Sequence, residues 1–167
     1  VETGPCKVSA TKLYITNLMR GFKKSFVRTS TMYNVYSRLD STKLLHTVHR
    51  YYEIETRTEV APENQFLQLA TLRMEKGKTF RPHQHIWKPT PVDSIIAQES
   101  WVIIKGSVEV SFFDTDGTLL EKQVLRAGDC SMTFEGGHTY LILEDDTVVY
   151  EYKTGPYQGQ ALDKVFL

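Results

Sequence analysis

Residues 77–106 read GKTFRPHQHIWKPTPVDSIIAQESWVIIKG. His83 and His85 stand two apart in a segment that reads as a β-strand, so both side chains leave the same face. Two imidazoles on one face, about 7 Å apart at Cα, can share one metal ion. The pair alone is a weak signal, because two histidines on a strand are more often surface or core residues. Its surroundings add to it. Gly77 lies six residues before His83, and Glu99 lies seven residues before Gly106, which sits in the turn Lys105-Gly106-Ser107.

Outward from this stretch the chain reads as strands punctuated by turns. Upstream, Leu44 to Thr58 is rich in β-branched and aromatic residues, and Ala61-Pro62-Glu63-Asn64 is a turn. Phe66 to Met74 reads as a strand buried on one face throughout and on both faces at its start. Downstream, strands are predicted at Trp101–Lys105, Val108–Phe113, Leu119–Leu125, Ser131–Phe134, Thr139–Leu143 and Val148–Lys153. Asp114-Thr115-Asp116-Gly117 forms a hairpin turn. Many short strands with Gly/Asp turns point to an all-β sandwich or barrel. Near the N-terminus, Ile15, Leu18, Met19, Phe22 and Phe26 follow helical spacing, which predicts an amphipathic helix packed on protein. The expected division is residues 1–60, a helix and a leading strand, and residues 61–167, the barrel.

Composition narrows the function classes. The 167 residues, 41% hydrophobic and 24% charged, suit one globular domain. Twenty Lys+Arg balance twenty Asp+Glu, which argues against nucleic acid or an acidic membrane as partner. No apolar run approaches the ~18 residues of a membrane span, and no signal-peptide pattern is visible. Cys6 and Cys130 are too few for a disulfide framework, so a reduced, cytoplasmic protein is expected, with Cys130 as buried packing. His46 and His49 lie three apart and read as ordinary strand residues.

Two further segments complete the pattern. Leu125-Arg126-Ala127-Gly128-Asp129 is a turn leading into a strand, and Phe134-Glu135-Gly136-Gly137-His138 places a histidine just after a tight turn. Together with residues 77–106 these resemble the cupin superfamily. Its first motif is Gly, five residues, His-x-His, three or four residues, Glu, six residues, Gly. Its second is Gly, five residues, Pro-x-Gly, two residues, His. The resemblance implies a double-stranded β-helix, or jelly-roll barrel. It also implies one metal ion held by His83, His85, Glu99 and His138, with Gly77, Gly106 and Gly128 as turn glycines. Here thirteen residues separate His85 from Glu99, so residues 86–98 read as an inserted loop where a substrate would enter. Asp93 or Glu135 is the alternative carboxylate. The second motif lacks its Pro and is one residue short. A narrower resemblance, over roughly residues 65–157 and ending in Glu151-Tyr152-Lys153-Thr154-Gly155-Pro156-Tyr157, is to the WbuC-type cupin metalloproteins found with surface-polysaccharide genes.

Three imidazoles and one carboxylate without thiolate suit Fe, Mn, Ni, Zn, Co or Cu as a divalent ion with open positions for substrate. Strand alternation nominates Arg81 as an inward anchor for an anionic group and Trp101 as a stacking surface. It nominates Tyr140 as a general acid. The leading expectation is a metal-dependent isomerase or dioxygenase of a small polar or sugar-like metabolite, working as a homodimer. The alternatives are a metal-free nucleotide-sugar isomerase or epimerase using His83 and Tyr140, and a non-enzymatic ligand-binding module.

Overall fold

The computed structural model describes residues 32–90 and 93–167, and the helix expected between Thr11 and Phe26 lies outside them. Fourteen strands follow one another among the described residues. They are β1 (Tyr33–Tyr36), β2 (Leu44–Val48), β3 (Arg57–Glu59), β4 (Leu67–Met74), β5 (His83–His85), β6 (Lys88–Pro89) and β7 (Ser94–Ile95). Then come β8 (Glu99–Lys105), β9 (Ser107–Phe113), β10 (Leu119–Arg126), β11 (Cys130–Thr133), β12 (Gly137–Ile142), β13 (Thr147–Thr154) and β14 (Lys164–Phe166). Among the described residues no helix is long and apolar enough to cross a membrane.

Ten strands form two five-stranded antiparallel sheets, ordered β10-β9-β12-β5-β14 and β11-β8-β13-β4-β3. The other four form two-stranded ribbons, β1-β2 and β6-β7. Period-two alternation explains the core. Val108 and Val110 of β9 and Tyr140 and Ile142 of β12 come from the first sheet. Leu72 of β4, Trp101 and Ile103 of β8 and Val149 of β13 come from the second. All are buried in one cluster.

Two strand readings differ from expectation. Leu44–Thr58 is interrupted by a 3-10 turn at Tyr51–Glu53, where the Glu53 amide donates to the Arg50 carbonyl and the Glu53 carboxylate accepts the Arg50 N–H. The β4 segment buries Gln68, Ala70, Leu72 and Met74 on its inward face, as alternation requires. Its start is not buried on both faces, since Phe66 is 70% exposed and Leu67 also faces solvent. Only from Ala70 to Leu72, where β3 and β13 flank it, are consecutive residues buried. Cys130 is exposed rather than packed, because it starts β11 at a sheet edge.

Two glycines set the geometry that aims the site. Gly106 joins β8 to β9 at φ +79°, and a Cβ there would collide with Thr147 Oγ1. Gly136 precedes β12 at φ +83°, and a Cβ would lie 2.5 Å from the Phe113 carbonyl oxygen. Gly106→Ala is expected to destabilise the fold by about 1–3 kcal/mol from the backbone conformation, with the Thr147 collision adding to it. A urea midpoint equal to that of the parent chain would refute this.

Candidate metal centre

The four residues singled out by the motif meet between the two sheets. His83 and His85 leave the inward face of β5. His138 on β12 stands directly opposite His83 in the antiparallel register. Glu99 comes from the other sheet, at the first position of β8. One ligand atom from each lies within 4.8 Å of the others, and all four residues are buried. That span suits one ion at about 2.1 Å from each donor after shifts of a few tenths of an ångström. The thirteen residues before Glu99 therefore do not remove it from the cluster. Asp93 is exposed and accepts the Ser94 N–H, while Glu135 accepts the indole N–H of Trp87.

The surrounding contacts orient each donor. The Nδ1 of His83 lies 3.1 Å from the Arg81 carbonyl oxygen, so Nδ1–H donates there and Nε2 faces the cluster. The Nδ1 of His85 lies 3.2 Å from Asp163 Oδ2, and its Nε2 lies 3.3 Å from Glu99 Oε2. The Trp101 indole N–H donates to Glu99 Oε1 at 3.1 Å. His138 Nε2 lies 3.2 Å from the same oxygen, off the direction a hydrogen bond needs, and both His138 nitrogens are buried without a hydrogen-bond partner. A buried imidazole at 0% exposure with two unsatisfied nitrogens is an unfavourable arrangement for the protein alone. What sets His138 apart is its convergence with three other donors, and that nitrogen–oxygen set fits a divalent first-row ion.

Electrostatics agree with that reading. Burial lowers the His83 pKa to about 4, helped by nearby His138 and Lys164, so its imidazole is neutral and ready to ligate. Burial also opposes a charge on His85, but its hydrogen bonds to Asp163 and Glu99 win and raise its pKa. Burial alone would raise the Glu99 carboxyl, yet its contacts with His138 and His85 hold it well below the usual carboxylate range.

His83 and Glu99 reach the wall of a cavity of about 260 Å³. Its charged lining comprises Arg57, Lys153 and Lys164 against Glu59, Glu63, Glu99 and Glu151. Arg57 reaches Glu59 at 2.5 Å and Glu151 at 2.7 Å. Trp101 and Tyr140 also line the cavity, but as a stacked pair with centroids 3.8 Å apart. Trp101 is only 1% exposed, so its stacking face is given to Tyr140. The Tyr140 hydroxyl is bonded to Ser131 Oγ at 2.9 Å, and burial raises its pKa. It is therefore held as a neutral, packed phenol.

Arg81 is a correction. It is exposed and outside the cavity, with its guanidinium 4.2 Å above the Phe166 ring. Strand β5 starts only at His83, so the alternation that aims His83 and His85 inward does not extend back to residue 81. The inserted loop is a second correction. None of its described residues lines the cavity. Lys88 binds Asp163 Oδ1 at 2.6 Å and Trp87 binds Glu135, which fastens the loop elsewhere.

Sequence reading missed the C-terminal segment. Strand β14 pairs with β5, placing Lys164 opposite His85. Asp163, 1% exposed, accepts bonds from Lys88 and Lys153 as well as from His85. A three-residue strand after a Gly-containing turn leaves too short a pattern to read.

No protein-family model matches the sequence, and no curated protein matches it. Solved structures do. CapF, a capsular polysaccharide assembling protein from Staphylococcus aureus, aligns at 16% identity over 66% of this chain and 31% of its own, with a TM-score of 0.54. The chain therefore spans under a third of CapF. That likeness is one of fold, two facing antiparallel sheets. The chain has the cupin fold. KdgF from Halomonas sp. aligns with this chain at 23% identity over 61% of it and 78% of KdgF, with a TM-score of 0.46. A cupin-2 domain protein from Shewanella frigidimarina aligns at 16% identity over 61% and 82%, with a TM-score of 0.42.

Proposed function

We propose that this cupin is a metal-dependent enzyme of the isomerase or dioxygenase type, acting on a small polar or sugar-like metabolite. The observation that carries the reading is the buried His83, His85, Glu99, His138 cluster, of which His83 and Glu99 reach the wall of a charged cavity. Those four residues would hold one divalent ion. When bound, the ion supplies Lewis acidity toward a substrate oxygen.

The remaining residues prepare that site. Asp163 and the Arg81 carbonyl fix which imidazole nitrogen of His85 and His83 carries the proton. Trp101 orients the Glu99 carboxylate through its indole N–H, and Tyr140 holds Trp101 by stacking. We assign both aromatics positioning roles rather than substrate contact or acid catalysis. The carboxylates in the wall, Glu59, Glu63 and Glu151, are polar groups able to bind substrate hydroxyls or carry a proton. A sugar-like substrate is supported by the polar lining and by the fold shared with CapF, whose name concerns capsular polysaccharide.

The test is turnover. Metal-loaded protein is incubated with panels of aldoses, ketoses and hydroxy acids, with and without oxygen, and followed by NMR. His83→Ala is expected to reduce any turnover by at least about 100-fold. Equal turnover in His83→Ala would contradict the proposal.

A further inference from the structure

Three buried or half-buried lysines crowd the C-terminal side of the site, and two of them are accounted for. Lys88 and Lys153 each take one oxygen of Asp163, at 2.6 and 3.0 Å. Lys164 is different. Among the described residues it has no carboxylate within ion-pair distance. Its partner is His83 Nε2, 3.3 Å from its Nζ. That nitrogen is the one left free by the Nδ1 bond to the Arg81 carbonyl, and so it is the lone pair a metal would take.

An ammonium and a metal ion cannot share one lone pair. Once an ion sits on His83 Nε2, Lys164 loses its acceptor while remaining half-buried in the cavity wall. A lysine held there needs a new oxygen, and the space beside the ion is where a ligand atom would stand. The charge of the wall says what kind of ligand. Three cations face four carboxylates, so a divalent ion leaves the wall with a single positive charge. A monoanion neutralises it.

We infer that Lys164 anchors the carboxylate of a small monoanionic substrate beside the metal ion, the role that strand alternation had assigned to Arg81. The inference rests on the metal-binding reading above and narrows its substrate class to monocarboxylates. A charge-assisted hydrogen bond from an ammonium to a carboxylate, away from bulk water, is strong enough to select acids over neutral polyols of the same size. Lys164 also lies on β14, the strand that pairs with the histidine strand itself, so its backbone is fixed relative to His83 and His85.

The experiment uses the full chain loaded with Co(II), whose visible absorption reports ligands entering the metal's surroundings. Glycolate is the monocarboxylate probe, and ethylene glycol is its neutral counterpart. The expected result is a saturable spectral change with glycolate at concentrations where ethylene glycol gives none. In Lys164→Met the cobalt content is expected to be unchanged and glycolate binding to weaken by roughly tenfold or more. Lys164→Arg, which keeps the charge, is expected to retain most of the affinity. Unaltered glycolate binding in cobalt-loaded Lys164→Met would overturn the inference while leaving the metal site standing. So would equal binding of glycolate and ethylene glycol by the parent chain, which needs no variant to fold. Failure of the parent chain to take up cobalt would overturn the metal reading and this inference with it.

Discussion

Asp163→Ala is expected to lower the stability of the protein by about 3–5 kcal/mol, the largest effect of any single polar substitution considered for this chain. The carboxylate is 1% exposed and has three nitrogen partners: Lys88 Nζ, Lys153 Nζ and His85 Nδ1. Burial by itself would raise the pKa of Asp163. The bonds from His85, Lys88 and Lys153 outweigh it and keep the group ionised. Alanine removes the carboxylate these groups share. His85 Nδ1 keeps only the backbone carbonyl of residue 163, and two ammonium groups are left with little water to turn to, since the Lys88 and Lys153 side chains are 14% and 12% exposed. That residual exposure places the expected value toward the lower end of the range. Asp163→Asn keeps the shape and loses the charge, so it should fall between alanine and the parent. Because Asp163 also holds the His85 ring, both variants should weaken metal binding, by about 10–100-fold. Urea unfolding of the metal-free protein checks the first effect and metal titration the second. A loss under about 1 kcal/mol in Asp163→Ala would show that the lysines find water after all.

His138→Leu is expected to separate the cost of the metal site from its benefit. In the metal-free protein His138 is fully buried and neither of its ring nitrogens has a hydrogen-bond partner. An unsatisfied buried polar atom costs about 1–3 kcal/mol, and leucine brings none. The substitution removes that cost but also the contact by which His138 steadies the buried Glu99 carboxylate, so metal-free stability should change little, unlike an ordinary truncation at a buried position. With metal the two proteins should differ. An ion at 1,000 times its dissociation constant stabilises the folded chain by about 4 kcal/mol, and His138→Leu should lose that increment. The paired comparison, two proteins each melted with and without metal, gives four numbers. A full metal-dependent increment surviving in His138→Leu would contradict the site as described.

The centre was legible because its determinants are local. The two-residue spacing of His83 and His85 and the turns at Gly106 and Gly136 can all be seen within a few residues of the groups they aim. Glu99 was recoverable only through the motif, since thirteen residues of altered spacing stand before it. The structure explains why the insertion is harmless. It leaves β5 and returns at β8 on the opposite sheet, so its length does not change where either strand lies. What the sequence could not convey is pairing between distant segments. Arg57 meets Glu151 across ninety-four positions, and Asp163 meets His85 across seventy-eight. No local pattern at residues 157–167 announces a strand that joins the histidine strand. Arg81 failed for the converse reason. Alternation was extended two residues beyond the strand that justified it, and the guanidinium instead lies over Phe166.

The central claim is that these four side chains bind one ion. The most direct measurement is the metal content, by elemental analysis, of protein stripped with a chelator, exposed to excess Zn(II) or Co(II) and then freed of unbound metal. One ion per chain is expected for the parent and none for the variant carrying both His83→Ala and His138→Leu. Equal metal in the two proteins, or none in the parent, would contradict it.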